Sequence, residues 1–307
     1  MTDSPLPATP VRAPFSAADL VALLVCTAAW GTTWYAITLQ FGVVEPTVSV
    51  VYRFAIAAAA LMGWAWASGI PLALSARQHR AAFAVGLATF AVQYPLVYAA
   101  ETTVASAVVA VLFAALAFVN LIVFRVLFGE RPTPLAWAAA AMGIGGVLVL
   151  SWSEVVDARM DGAALTGLTL TLAAVLVCSL GNAAAREVER AGASIVASTG
   201  WAMAYGTLIL AAYAGLTGAP WTFDARPTYV LSLLYLAIIG SVLAFLLYFG
   251  LARRHGFATA SYISALTPPV AMVVSAVFEN KTWSLMALLG VAVIVAGQWL
   301  LTRLPRA

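Results

Sequence analysis

The chain consists of ten apolar segments that are separated by short polar turns and fall into two sets of five. A helix that spans a bilayer needs about 20 mainly apolar residues, so ten such helices use about 200. Charged residues make up 9% of the 307 positions, against about 25% in an ordinary soluble domain. The chain is therefore predicted to be an all-α integral membrane protein without a separate soluble domain.

The helix boundaries follow from the charges, prolines and glycines that interrupt the apolar runs. The Pro-rich residues 1–17 are predicted to form a disordered cytoplasmic tail, and the two repeats are placed at 18–152 and 153–307. The predicted helices are 18–40, 46–68, 80–99, 103–127 and 133–151 in the first repeat, and 163–184, 194–217, 227–250, 257–278 and 283–302 in the second.

The basic residues between the helices test this count, because cytoplasmic loops of membrane proteins are enriched in Lys and Arg. With the N-terminus in the cytoplasm, eleven basic residues fall on the cytoplasmic side and three, Arg159, Arg226 and Lys281, on the opposite side. Adding or removing one helix would destroy this alternation. We therefore predict ten transmembrane helices with both termini cytoplasmic, in a bacterial-type inner (plasma) membrane.

The number of helices in each set also predicts the architecture. Since five is odd, a tandem copy of a five-helix block crosses the membrane in the opposite direction. Inverted repeats are common in secondary transporters, where the substrate site lies near the bilayer midplane between the repeats. Gly31/Gly181 and Tyr98/Tyr248 match at an offset near 150, which agrees with a duplication. Two inverted five-helix repeats that form one transport domain are the predicted fold.

Four short motifs connect the chain to a known family. They are Trp30-Gly31-Thr32-Thr33-Trp34 in helix one, Tyr52-Arg53-Phe54 in helix two, Phe128-Gly129-Glu130-Arg131 after helix four and Thr267-Pro268-Pro269-Val270 in helix nine. In the order and spacing of these motifs, essentially the whole chain resembles the drug/metabolite transporter superfamily, specifically its EamA-like ten-helix exporters.

The resemblance implies a proton- or gradient-linked, or simply facilitative, exporter of small metabolites, with amino acids as the commonest substrates. Export of other small organic or cationic drug-like compounds is the alternative, and a non-transport membrane assembly subunit is a more distant one. The expected partners are a small-molecule substrate and the lipid bilayer, without nucleic acid. We expect a monomer or weak homodimer and no cofactor.

Sequence motifs of other classes are missing. The chain has no Gly-x-Ser-x-Gly or His-Glu-x-x-His motif and no His, Asp or Glu in the middle of a predicted helix, which argues against an intramembrane enzyme or a metal site. It also lacks a Walker A motif, so this chain alone is not predicted to use ATP.

Candidate substrate-binding residues lie near the middle of helix one. Trp30 is about 16 Å past Asp19 at 1.5 Å per residue, away from the interfacial belt where Trp is enriched. Its side chain either packs between helices or forms a cavity wall, and Thr33 and Trp34 continue the same stretch. Gly31 is either a close helix contact or a flexible hinge.

Helix three contributes Gln93, Tyr94 and Tyr98 as further substrate-binding candidates, with Pro95 as a hinge candidate. Proline frees the carbonyl four residues earlier, and inside a membrane that carbonyl must be bonded or face water. A polar pair beside such a break favours a cavity-lining role over a simple kink in which Gln93 bonds a neighbouring helix. Tyr98 lies one turn beyond Tyr94 on the same face.

The second repeat contributes two candidate substrate contacts, Asn182 and Tyr262, and two hinge candidates, Pro268 and Pro269. Asn182 either contacts the substrate or bonds another helix. The adjacent prolines are expected to bend or interrupt helix nine, for gating or only for shape.

Arg53 and Glu101 are candidate charge contacts. Arg53 either extends to the outer interface, as long basic side chains do, or binds a substrate anion. Glu101, between helices three and four, is expected to be a solvated acid, with proton coupling as the alternative. Since buried acids are the usual proton relays of transporters, no relay through a carboxylate at the midplane is predicted.

Overall fold

The computed structural model describes residues 15–104, 106–150, 162–278 and 284–302, and all regular structure within these ranges is helical. The helices are α1 (Ala17–Thr38), α2 (Pro46–Ala67), α3 (Ala76–Glu101), α4 (Ser106–Phe113), α5 (Leu116–Phe128), α6 (Pro134–Leu150), α7 (Gly162–Arg190), α8 (Ile195–Leu216), α9 (Pro227–His255), α10 (Phe257–Ala260), α11 (Tyr262–Phe278) and α12 (Leu285–Thr302).

Six of these helices, α1, α2, α3, α7, α8 and α9, are each long and apolar enough to cross a membrane. The all-helical membrane class is thus confirmed. Two of the predicted helices are divided: α4 and α5 occupy the predicted 103–127, and α10 and α11 occupy 257–278. The predicted tail lies outside the described residues except at its end, where Ser16 caps α1 through a capping box with Asp19.

The predicted helix nine is interrupted, but not at the two prolines where the sequence analysis places the bend or interruption. Helix α11 continues through Pro268 and Pro269, and the interruption lies seven residues earlier at Ser261, between α10 and α11. In a membrane, neighbouring helices and hydroxyl side chains can satisfy the backbone groups that a proline leaves unpaired. Thr267 Oγ1, for example, donates to the Ser264 carbonyl at 2.9 Å.

Two helices contain a π-helical segment at matching places in the two halves of the chain. The segments are Gly86–Gln93 in α3 and Ile238–Leu243 in α9, separated by about the offset of 150 seen in the sequence. In α3 the segment ends two residues before Pro95, whose ring excludes the normal i−4 carbonyl. In α9 the hydroxyl of Ser241 donates to the Leu236 carbonyl at 2.8 Å, so a side chain bonds a carbonyl within the wider turn.

Helix contacts between the halves of the chain also come in matching pairs. Helix α2 packs on α8, and α6 packs on α12. Helix α1 contacts α11 and α9, while α7 contacts α4, α5 and α3. The contacts of α1 therefore have counterparts in those of α7, which places α1, α3, α7 and α9 around the centre of the bundle.

Helices α6 and α12 approach closely through glycines. A Cβ atom on Gly146 would lie 2.8 Å from the Ile294 backbone nitrogen and 2.9 Å from the Gly290 carbonyl oxygen. A Cβ on Gly297 would lie 3.0 Å from the Cβ of Met142. Small residues that let two backbones approach are a common basis of helix packing in membranes. These glycines are therefore used for packing within the chain.

This contact gives a stability prediction with a neighbouring control. Gly146→Ala places a methyl group against backbone atoms that cannot move aside, and overpacking of this kind costs about 1–3 kcal/mol. We expect a lower midpoint of thermal unfolding in detergent by far-ultraviolet circular dichroism. Gly145→Ala, where a Cβ would meet nothing within 4 Å, should not lower the midpoint. Equal midpoints for the two variants would contradict this packing.

Candidate functional site: a central cavity

An internal cavity lies where α1, α3, α7, α9 and α11 meet, beside the break between α4 and α5. Its volume, counted as the space that the centre of a water molecule can occupy, is about 60 Å³. One water molecule needs about 10–15 Å³ when the volume is counted in this way. Among the described residues that line it, none is charged. They are Trp30, Thr33, Trp34, Ile37, Thr89, Gln93, Tyr94, Val97, Phe113, Leu116, Cys178, Asn182, Phe245, Tyr248, Ser264 and Thr267.

Aromatic rings form much of the cavity wall. The Trp30 ring packs against Phe245 and Tyr248, with ring centroids 5.4 and 5.2 Å away. Its Nε1–H donates to the Gly240 carbonyl at 3.1 Å, which lies in the π segment of α9. Trp34 packs against Phe113 at 5.2 Å. Trp30 therefore combines both roles left open by the sequence, since it bonds a neighbouring helix and lines the cavity.

Two buried polar atoms of the wall have no hydrogen-bond partner among the described residues. They are Nε1 of Trp34, a donor, and Oε1 of Gln93, an acceptor. Trp34 is 9% exposed and Gln93 is 6% exposed. An unsatisfied buried polar group costs about 1–3 kcal/mol. A ligand that offers both an acceptor and a donor would remove this penalty.

A neutral hydrogen-bond network connects the cavity to the break in helix nine. Asn182 Nδ2 donates to Asn120 Oδ1 at 3.4 Å, and Asn120 Nδ2 donates to Ser261 Oγ. Tyr248 Oη lies 3.3 Å from Ser261 Oγ, which itself donates to the Phe257 carbonyl at 2.6 Å. Asn182 also lines the cavity, so it both bonds another helix and faces the open space.

Arg53 lies behind the cavity wall, and the prediction that it extends to the outer interface is wrong. The side chain is 1% exposed. Its Nε donates to Ser241 Oγ at 3.0 Å and its Nη2 to the Gly240 carbonyl at 3.5 Å. The guanidinium carbon lies 4.6 Å from the centroid of the Tyr94 ring. The hydrogen bonds available in the π segment of α9 explain why Arg53 turns inward.

Glu101 is not the solvated loop acid that its position in the sequence predicts. It ends α3 and is 8% exposed. Tyr98, one turn earlier, is fully buried. Neither residue lines the cavity, although both share the face of α3 that carries Tyr94. Arg53, Tyr98 and Glu101 therefore form a charged cluster that is separate from the neutral cavity.

The remaining candidates lie at varied distances from the cavity. Gly31 is a close helix contact, since a Cβ there would lie 2.5 Å from the Cβ of Val270. Tyr262 is buried beside Ala117 and Ala139 and does not line the cavity. Pro95 and Pro268 directly follow the lining residues Tyr94 and Thr267, and Pro269 follows Pro268. The hinge role of these prolines stays a prediction.

Ten lining residues were not among the sequence candidates: Ile37, Thr89, Val97, Phe113, Leu116, Cys178, Phe245, Tyr248, Ser264 and Thr267. Thr89 has a recognisable signal, because it lies four residues before Gln93 and therefore on the same helix face. Phe245 lies three residues before Tyr248, which makes it a neighbour on α9 by the same rule. For Phe113 the sequence offers no signal, since its position depends on where α4 ends.

Two halves with matching contacts, membrane-spanning helices and a central neutral cavity define a multi-pass membrane protein of the transporter class. Comparison with known families agrees. The family model described as the EamA-like transporter family matches residues 17–152 and again residues 165–303. The chain belongs to the EamA-like transporter family, whose members are transporters and not enzymes.

Individual relatives are distant. The chain is 30% identical over 183 residues to a WAT1-related chloroplastic protein of Arabidopsis thaliana, covering 57% of this chain and 43% of that protein. It is 28% identical over 195 residues to a probable amino-acid metabolite efflux pump of Salmonella typhimurium, covering 60% and 63%. The chain thus spans less than two thirds of either relative. A solved crystal structure matches with a TM-score of 0.74 at 20% identity, over 92% of this chain and 96% of that one, which shows the fold.

The two cavity tryptophans differ in their hydrogen bonding, and this difference predicts their effect on stability. Trp30→Phe keeps an aromatic ring but removes the bond to Gly240, which should cost about 0.5–1.5 kcal/mol. Trp34→Phe makes the same reduction in ring size and removes no hydrogen bond. We expect a larger fall in the midpoint of thermal unfolding for Trp30→Phe. The reverse order would show that the Trp30–Gly240 bond contributes nothing.

Proposed function

We propose that this protein is a secondary transporter that exports small metabolites, with amino acids as its substrates, by alternating access through the central cavity. The observation that carries the proposal is the pair of unpartnered polar atoms in the neutral wall, Trp34 Nε1 and Gln93 Oε1. An amino acid is a zwitterion, so its carboxylate can accept from the indole N–H and its ammonium group can donate to the amide oxygen.

The rest of the cavity wall fits the same class of solute. The rings of Trp30, Tyr94, Phe113 and Phe245 offer apolar area for the side chain of the amino acid, and aromatic pairs gain about 0.5–1.5 kcal/mol beyond that area. The described lining residues include no acidic side chain that would pair with the charge of a lipophilic cation. The naming of the Salmonella relative as an amino-acid metabolite efflux pump also supports amino acids over cationic compounds.

The proposal includes ten transmembrane helices in two inverted repeats. In this arrangement α4 with α5 and α10 with α11 each form one broken crossing, while α6 and α12 complete the two sets of five. The matching helix contacts and the two π segments support it. The distribution of basic residues supports cytoplasmic termini and an inner-membrane location.

Cysteine labelling in intact cells tests this topology. In a background that carries Cys26→Ala and Cys178→Ala, Thr102→Cys should react with a membrane-impermeant maleimide, because the turn after α3 is outside. Ser68→Cys should react only after the cells are opened, because the turn after α2 is cytoplasmic. Both residues are exposed in the structure, so reactivity reports the side of the membrane. Reaction of Ser68→Cys in intact cells would refute the proposed topology.

Transport in proteoliposomes tests the function. Vesicles containing the purified protein should exchange at least one labelled L-amino acid saturably, in a panel that also contains tetraphenylphosphonium as a lipophilic cation. Trp34→Phe and Gln93→Leu each remove one proposed contact. Each should raise the half-saturating concentration about tenfold or more, since a lost hydrogen bond to a charged group is worth about 1.5–3 kcal/mol.

The controls distinguish an error in the proposed contacts from an error in the proposed function. Leu216, on α8, is 90% exposed, so Leu216→Ala should leave the half-saturating concentration unchanged. If no amino acid exchanges above the rate of empty vesicles, the amino-acid proposal is wrong. If exchange occurs and both site variants behave like the unmodified protein, the function stands and the proposed contacts are wrong.

A further inference from the structure

Three buried carboxylates in the described part of the chain differ in their partners. Asp19 accepts from Arg254 Nε at 2.7 Å, and Asp224 accepts from Arg226 Nε at 2.7 Å. Glu101 is as buried as these two, but neither of its oxygens has a hydrogen bond among the described residues. Burying an ionised carboxylate without hydrogen bonds is strongly unfavourable. Glu101 is therefore the acid for which a neutral, protonated state is most favourable.

Arg53 is the basic side chain whose charge acts on Glu101, and it lies on α2, which packs against the end of α3. The two side chains interact electrostatically, and Arg53 interacts with Tyr98 as well. Arg53 Nη1 also lacks a hydrogen bond in the described structure. Because a guanidinium group stays protonated in proteins, Glu101 alone determines the net charge of the pair. The pair is neutral when Glu101 is ionised and carries one positive charge when Glu101 is protonated.

Few other ionisable groups surround this pair. On α3 itself they are Tyr94 and Tyr98, on α2 Tyr52 is next to Arg53 in the sequence, and on α9 Tyr229 interacts with Tyr98. The thiols of Cys26 and Cys178 interact with Tyr94. Helix α4 and residues 162–177 of α7, the parts that pack near the end of α3, contain no ionisable side chain. Protonation of Glu101 is thus the main change of charge available within the described part of this cluster.

A chain of contacts connects the pair to the cavity. Arg53 donates to Ser241 Oγ and to the Gly240 carbonyl in the π segment of α9. The same Gly240 carbonyl accepts from Trp30 Nε1 at 3.1 Å, and Trp30 lines the cavity. Electrostatic attraction to an ionised Glu101 competes with the hydrogen bonds that Arg53 makes to the π segment. A protonated Glu101 leaves Arg53 to bond with the π segment, which also holds Trp30.

Glu101 is the last residue of α3, so it lies between the turn that follows the helix and the part of α3 that lines the cavity. The next residues, Thr102 and Thr103, are exposed, so water can approach from that end. In the other direction, Tyr98 and Tyr94 follow at intervals of one helical turn, and Tyr94 lines the cavity. Arg53, Tyr98 and Glu101 do not line the cavity and are at most 8% exposed. A proton can bind a carboxylate with so little space around it, whereas an amino acid cannot.

Building on the exporter function proposed above, we propose that Glu101 is the proton-binding site that couples export to proton entry, with Arg53 as the positioning residue that transmits its charge state to the cavity. A proton from outside forms an O–H bond with the carboxylate. The same proton leaves through the cavity to the cytoplasm and regenerates the carboxylate. One proton enters for each substrate molecule exported, and no electrons are transferred.

Proteoliposomes test the coupling. The probe is the labelled L-amino acid that exchanges fastest in the panel above, internal pyranine reports the movement of protons, and valinomycin with equal potassium on both sides fixes the membrane potential. Vesicles one pH unit more acidic inside should accumulate the amino acid up to about tenfold, because a tenfold proton gradient balances a tenfold solute gradient. Protons should leave at the same time.

Substitutions then locate the proton site. Glu101→Gln imitates the protonated acid and should abolish accumulation and the associated proton movement, while amino-acid exchange at equal pH persists. Glu101→Asp should retain accumulation, which shows that a titratable carboxyl is what matters. Glu187→Gln is the matched control, because Glu187 is a partly exposed acid paired with Arg190; it should accumulate like the unmodified protein.

The outcomes separate the two proposals. If the unmodified protein exchanges the amino acid but does not respond to the pH gradient, proton coupling is wrong and the exporter proposal stands. Accumulation by Glu101→Gln would show that the proton binds elsewhere. Loss of exchange as well as accumulation in both Glu101→Gln and Glu101→Asp would make Glu101 a structural residue, which also overturns the coupling. Absence of exchange for every amino acid is the separate failure of the proposed function.

Discussion

The carbonyl oxygen of Gly240 is the single acceptor on which the centre of the structure depends. Inside a bilayer no water is available to bond a displaced backbone group, so a π segment requires side chains to do so. At Gly240 these are the indole of Trp30, at 3.1 Å, and the guanidinium of Arg53, at 3.5 Å. A Cβ at this position would lie 2.6 Å from the methyl group of Thr33, which explains the glycine. The cavity wall and the buried positive charge are therefore fixed by the same backbone group.

The two π segments lie at equivalent places but serve different ends because their side chains differ. In α3 the segment precedes Pro95 and positions Gln93 and Tyr94 at the cavity. In α9 it bonds to Trp30 and Arg53, which belong to the other half of the chain. An approximately repeated backbone thus carries an asymmetric set of side chains. This asymmetry gives the neutral cavity a charged cluster behind one of its walls.

Hydropathy and motif order are enough to predict the helical class and the family, because both depend on local sequence. A position near the middle of a predicted helix also identifies Trp30, Gln93 and Tyr94 as candidates, and all three line the cavity. The direction in which a side chain points is less predictable from the sequence. Whether Arg53 points to the interface or inward depends on Ser241 and Gly240, nearly 190 residues away. The burial of Glu101 depends likewise on neighbouring helices, and the break at Ser261 depends on hydroxyl bonding that hydropathy does not register.

The polar groups at the two ends of the cavity have different chemistry, and this bears on how a gradient could be used. Toward α10 lies the network of Asn120, Asn182, Tyr248 and Ser261, whose amides and hydroxyls keep the same charge at physiological pH. Toward the end of α3 lie Arg53 and Glu101, of which one can gain or lose a proton. Under the proposed topology the neutral network faces the cytoplasm and the titratable pair faces outward. A proton gradient can therefore act on the charge of the pair at the outer end, whereas the neutral network contains no group whose charge responds to it.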